Sequence, residues 1–186
     1  MKPITLQEIH QLSVEFGVPV SRIQAIKHVE SGGIGFDKKT GKIIIQFEPV
    51  WFRRKSPYTP SGKWSVNGVE RQDEEWKAFN DAFAKNPNAA MEATSIGIMQ
   101  VMGFHWELLG FDSVGAMWDY AKKSEYNQLR ISLLFIKSNK KMFKALVAGN
   151  WKVVAYYYNG EYYWKLKYDV KLQKADKMYA ELEKAA

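Results

Sequence analysis

The stretch AIKHVESGGIGFD, residues 25–37, carries a carboxylate where an apolar helical pattern stops: Glu30, followed by Ser31 and the pair Gly32-Gly33. The C-terminal end of a helix holds partial negative charge, which disfavours an ionised carboxylate there. Burial beside apolar groups acts in the same direction. A carboxylic acid that keeps its proton near neutral pH can donate it to a leaving oxygen. The glycines leave room for backbone to approach a substrate. His28 lies two residues back, a helical spacing that turns it away from Glu30. Taken alone, a glutamate before two glycines is also how an ordinary helix end reads.

Acid catalysis of this kind needs a second group. Inverting glycosidases use one to position water on the far face of the sugar. Three carboxylates qualify by position. Asp37 falls in a turn, where capping the turn is its natural role. Glu48 follows Phe47 and precedes Pro49 at the end of an extended run, and Glu92 precedes ATSIGIMQ at helical spacing. The hydroxyls of Thr94 and Ser95 could share the task.

Several elements must position these residues. TLQE at 5–8 is a capping box that starts a helix running to about Phe16. FGVPVS is a turn, and SRIQ at 21–24 reads as a second capping box. Ile23, Ile26 and Val29 then share one helical face. Turn residues at 37–42 and the β-branched run 43–45 predict a β-hairpin ending at Phe47-Glu48. RRKSPYTPSGKWSVNGVERQDEE reads as a long surface loop. Trp76, Phe79 and Phe83 mark a helix from Glu74 to Lys85. A short helix, a tight turn at Gly97 and another helical piece come next. Residues 113–148 read as two helices, AYYYNGEYYW at 155–164 as an aromatic loop, and the last 22 residues as a lysine-rich amphipathic helix. The pattern is mainly α (α+β), with helical lobes around a cleft and one small β-hairpin.

The chain has 186 residues, 46% of them hydrophobic and 25% charged, which fits a single packed domain over residues 1–186. It has no cysteine, so disulfides and thiolate metal sites are excluded. No apolar run approaches the roughly 20 residues of a membrane-spanning helix. The N-terminus does not read as a secretory signal, so release from the cytoplasm would need another agent. The net charge of +7 and pI of about 9.4 favour a polyanionic partner. No helix-turn-helix and no basic-aromatic repeat points to nucleic acid.

Four motifs occur in order: VESGGIGFD, IIIQFEPVWF, ATSIGIMQVMGFHW and AYYYNGEYY. Together they resemble the N-acetylmuramidase family of phage endolysins, relatives of goose-type lysozymes and soluble lytic transglycosylases in the lysozyme-like superfamily. The similarity runs over about residues 5–175. It departs from the family at Ile96, where tryptophan is frequent, and at Val50-Trp51, where a histidine is frequent.

The resemblance implies a lysozyme-like catalytic domain with no separate wall-binding domain, no cofactor and no metal. Glu30 would be the general acid that protonates the glycosidic oxygen after N-acetylmuramic acid in peptidoglycan glycan strands. Glu48 and Ser95 would position water or support the acid. Phe47, Gln100, Tyr158, Asn159 and Tyr163 would hold the saccharide, whereas Tyr157 and Tyr162 read as packing residues. For Gln100, bonding within its own turn is the alternative. The enzyme would act as a monomer, wait in the host cytoplasm, and reach the periplasmic wall through a phage pore. The C-terminal helix would either close its lobe or touch anionic outer-membrane lipid. The rival activities are a lytic transglycosylase, in which the sugar's own 6-hydroxyl attacks, and a non-catalytic wall-binding module.

Overall fold

The computed structural model describes residues 3–31, 34–57 and 71–185, with Glu30 and Ser31 described as backbone alone. The chain divides into two compact units. One is formed by Ile34–Ile131. The other combines the described part of Pro3–Gly33 with that of Ser132–Ala186.

The second unit is helical. Helix α1 (Leu6–Phe16) starts on the expected capping box: Thr5 Oγ1 accepts from Glu8 N–H at 3.2 Å, and Glu8 Oε2 accepts from Thr5 N–H at 2.7 Å. It ends at Gly17, whose φ of 65° only glycine adopts at little cost. Ile9, Leu12 and Phe16 form its buried stripe. Helix α2 (Val20–Ser31) corrects the second capping box. It begins one residue before Ser21, and the Ser21 hydroxyl leaves its own helix to donate to Asp176 Oδ1 at 2.7 Å.

Helix α7 (Glu125–Ser138) leads into this unit, followed by α8 (Lys140–Ala148), α9 (Trp151–Asn159), a short 3-10 helix (Tyr163–Leu166) and α10 (Tyr168–Ala185). Residues 113–148 thus hold three helices rather than two, because Asn139 caps a new one by accepting from the N–H groups of Lys141 and Met142. Side chains of α2 and α9 converge on Asp176 of α10. Besides Ser21, it accepts from Trp151 Nε1 at 3.2 Å and lies 3.6 Å from Arg22 Nε. Arg22 in turn donates to the carbonyls of Leu146 and Val147 at the end of α8.

The first unit contains α3 (Pro49–Lys55), α4 (Gln72–Lys85), α5 (Pro87–Glu92), α6 (Val114–Lys123) and a three-stranded antiparallel sheet. The strands are β1 (Ile45–Phe47), β2 (Thr94–Ile96) and β3 (Val101–Met102), in the order β1-β2-β3. This corrects the predicted hairpin. Around the 37–42 turn the described residues form one bridge, between Phe36 and Ile43. Strand β1 pairs instead with β2, Ile45 opposite Ile96 and Phe47 opposite Thr94. SIGIMQ, expected as a turn between helical pieces, is the end of β2 and the loop 97–100 that leads to β3.

The reason lies at the free edge of β1, which α4 has taken. Gln72 and Glu75, one helical turn apart, imitate a neighbouring strand. Gln72 accepts from Ile45 N–H at 3.0 Å and donates to Ile45 C=O at 2.8 Å. Glu75 Oε2 accepts from Phe47 N–H at 2.7 Å. Residues 58–70 of the predicted surface loop lie outside the described residues. Its two ends are helical, in α3 and α4.

Glu75 is only 3% exposed. Burial, with added repulsion from Glu48 and Glu74, pushes its carboxyl from the ordinary 4.5 up to about 7. Between those values the folded protein holds more protons than the unfolded chain, so this group's contribution is most favourable below pH 4.5 and fades as pH rises toward 7. Glu75→Gln keeps an acceptor for Phe47 and removes the charge. Relative to it, the parent should lose on the order of 3 kcal/mol of unfolding free energy between acid and mildly alkaline pH. Parallel urea-unfolding curves across that range would contradict the assignment. For the helical unit, Asp176→Ala should lower unfolding free energy by about 2–4 kcal/mol, since it strands Arg22 and two donors. An unchanged urea midpoint would remove Asp176 from that role.

Candidate active site

Glu30 is the penultimate residue of α2, as the helix-end reading requires. Its side chain, with Gly32 and Gly33, lies outside the described residues. His28 is committed elsewhere. Its Nδ1 is 3.2 Å from the Tyr179 hydroxyl of α10, and the two rings meet edge to face at 5.9 Å.

The aromatic segment is not a loop at its start. Tyr156, Tyr157 and Tyr158 belong to α9, which ends at Asn159 because Gly160 (φ 80°) turns the chain away. Tyr158 is half-buried and meets Phe135 of α7 edge to face at 6.3 Å. Asn159 Nδ2 is buried, with no hydrogen-bond partner among the described residues. Buried amide donors are nearly always paired, so this donor stands out among the described residues. Tyr163 is half-buried in the 3-10 helix. Tyr162, expected to pack, is 60% exposed.

In the other unit, Glu48 caps α3 through its backbone alone. Its N–H donates to Ala93 C=O at 2.8 Å, and its side chain makes no capping bond. The carboxyl is half-buried, and desolvation raises its proton affinity above the usual carboxylate range. The rival carboxylates have other work. Asp37 accepts from Thr40 Oγ1, Thr40 N–H and Lys39 N–H, and these bonds, led by the Thr40 hydroxyl, hold its pKa down. Glu92 pairs with Lys55 Nζ at 2.8 Å and accepts from Trp106 Nε1 at 3.0 Å. Thr94 is fully buried and donates to Ala90 C=O at 2.7 Å.

Ser95 and Gln100 form a unit within the hairpin. The Ser95 hydroxyl donates to Gln100 Oε1 at 2.8 Å. Gln100 Nε2 donates to Gly97 C=O at 2.7 Å and reaches Ile44 C=O at 3.4 Å. These bonds hold Gln100 in the left-handed region, φ 49°, which is uncommon for a residue with a side chain. Gly97 also has a positive φ of 74°, and a Cβ there would lie 2.9 Å from the buried Gln128. Phe47 is 5% exposed and packs on Phe52, so its ring is part of the core.

Sequence reasoning missed Glu75, Asp176 and Gln128. Gln128 accepts from Ile98 N–H at 3.1 Å and donates to Ala121 C=O at 3.2 Å, and so props the hairpin loop from α7. None of the three sits beside a local motif; each is polar within an otherwise helical pattern and acquires its role from a strand or helix distant in sequence. Among the described residues, no cluster of His, Asp and Glu could hold a metal ion, and no helix is long and apolar enough to cross a membrane.

Comparison with known proteins fits this arrangement. The N-acetylmuramidase family model matches residues 19–180, which include all four motifs. The crystal structure of the Burkholderia AP3 phage endolysin matches with a TM-score of 0.87 and 31% sequence identity, covering 97% of this chain and 72% of that one. No curated protein matches the chain. The mainly helical fold with its small antiparallel sheet is that endolysin's lysozyme-like fold, and the chain belongs to the N-acetylmuramidase family of peptidoglycan-cleaving enzymes.

Proposed function

We propose that this enzyme is an endolysin that hydrolyses the β-1,4 bond between N-acetylmuramic acid and N-acetylglucosamine, with Glu30 as general acid. The observation that carries the reading is the family match over residues 19–180, a span that includes both the Glu30 motif and the Tyr-Asn-Gly motif. Glu30 protonates the leaving oxygen from the end of α2, where the helix terminus disfavours its ionised form. Glu48 is the best-suited carboxylate to act on water: it makes no capping bond, and its proton affinity is raised. Ser95 and Gln100 support the hairpin, and Phe47 supports it from the core. Asn159 donates its unpaired amide hydrogen to the saccharide, and Tyr158 and Tyr163 border it.

The working form is a monomer on peptidoglycan strands, released from the host cytoplasm to the periplasmic wall. Helix α10 is half committed to packing, through Leu172 and Ala175. Met178 and Leu182 are exposed, 40% and 58%, and are the residues through which it would meet anionic outer-membrane lipid.

Glu30→Gln should fold normally and lose lysis of permeabilised Gram-negative cells by about 10²–10⁴-fold or more in a turbidity assay. Substantial remaining activity would remove Glu30 as the acid. Glu48→Gln should leave α3 and thermal stability intact and slow turnover by about 10²-fold. Unaltered turnover would relieve Glu48 of a chemical role.

A further inference from the structure

The face where α8 meets α9 holds a groove of about 640 Å³; of its lining, only Tyr163 is shared with the residues proposed to border the saccharide at the cleavage site. From α8, Lys141, Lys144, Ala145 and Ala148 line it at i, i+3, i+4 and i+7, a single helical face. Asn150 and Lys152 border it at the start of α9, and Val153, Tyr156, Tyr157 and Tyr163 complete the lining. The alanines keep the floor low, so lysine stems and tyrosine rings rise as walls. Tyr156 is 49% exposed, and its ring stands edge to face with Tyr157 at 5.3 Å.

The charge of this region is one-sided. Between Tyr126 and Gly160 the charged residues are Arg130, Lys137, Lys140, Lys141, Lys144 and Lys152, with no carboxylate among them. Among the described residues, none of the three groove lysines has an ion-pair partner. A groove serving only to join two helices has no need of three unpaired ammonium groups around exposed aromatic rings. Such a surface concentrates a polyanion by its field and gives apolar sugar faces something to lie against.

We propose that this groove is a second binding site for the wall polymer. Tyr156 and Tyr157 take pyranose faces of a glycan strand, and Lys141, Lys144 and Lys152 take the free carboxylates of its stem peptides. The site keeps the enzyme on insoluble wall between cleavage events. It rests on the reading of peptidoglycan as the substrate. A lipid surface fits less well, because the floor is concave and lacks large apolar side chains to insert.

The test measures co-sedimentation of the Glu30→Gln protein with purified sacculi at low and high salt. Adding K141Q, K144Q and K152Q together should lower low-salt binding about tenfold, as three weak surface charge contacts would, and flatten the salt dependence. Sacculi whose carboxylates are neutralised by carbodiimide-driven amidation should lose the parent's binding to a similar extent. With Glu30 restored, the triple variant should turn over short soluble glycan fragments like the parent. Unchanged binding of the triple variant, or equal binding to amidated sacculi, overturns the proposal. A parallel loss of turnover on short fragments does so too, by placing the lysines in the cleavage site. Unchanged sacculus binding with lost binding to duplex DNA would reassign the groove to nucleic acid. Failure of the cleavage reading registers separately, as soluble muropeptides released by the Glu30→Gln protein.

Discussion

The helical unit depends on one carboxylate. Asp176 is approached by a hydroxyl from the first turn of α2, an indole N–H from the first turn of α9 and a guanidinium that also reaches the end of α8. Charge-assisted bonds of this kind are stronger and more directional than neutral ones, and they fix the entry ends of α2 and α9. Each helix carries a residue proposed for the reaction at the opposite end: Glu30 next to last in α2, Asn159 last in α9. A helix is stiff over nine to twelve residues, so a fixed start sets the place of its end.

The other unit solves the same problem with a sheet too small to stand alone. Two or three residues per strand give few ladder bonds, and short sheets need support from packing. The support comes from helices through polar side chains: Gln72 and Glu75 close the outer edge of β1, and Gln128 holds the hairpin loop. Fixing Glu75 so deeply raises its proton affinity, since its charge must be held with little solvent. The Ser95–Gln100 pair then locks the loop from within. A glutamine in a glycine-like conformation is tolerated there because its own side chain closes the turn.

Local features were legible in the sequence and long-range ones were not. The Thr5 capping box, the Asp37 turn, the tight turn at Gly97 and the end of α2 near Glu30 all arise from spacing within four or five residues, and the structure contains each. The predicted 37–47 hairpin is confined to the Phe36–Ile43 bridge next to its turn, while β1 pairs with β2 on one edge and α4 takes the other from twenty-seven residues away. Ser21 mimicked a cap because Ser-x-x-Gln is ambiguous until Asp176 is placed beside it. The tyrosines of α9 resembled a loop because aromatic runs are helical only when a helix has somewhere to pack, here beside α8. At the candidate site, the order of the four motifs points to Glu30, Glu48 and Asn159 as candidates, but nothing local sets the environment of Glu48 apart from those of Asp37 and Glu92. Their partners do.

The proposed chemistry takes Glu30 as the proton donor to a glycosidic oxygen and water as the nucleophile. The most direct measurement is mass spectrometry of sacculi digested in water labelled with oxygen-18. Hydrolysis predicts one labelled oxygen at the newly formed reducing end of each N-acetylmuramic acid. Products that end in the anhydro sugar, without label, would contradict it.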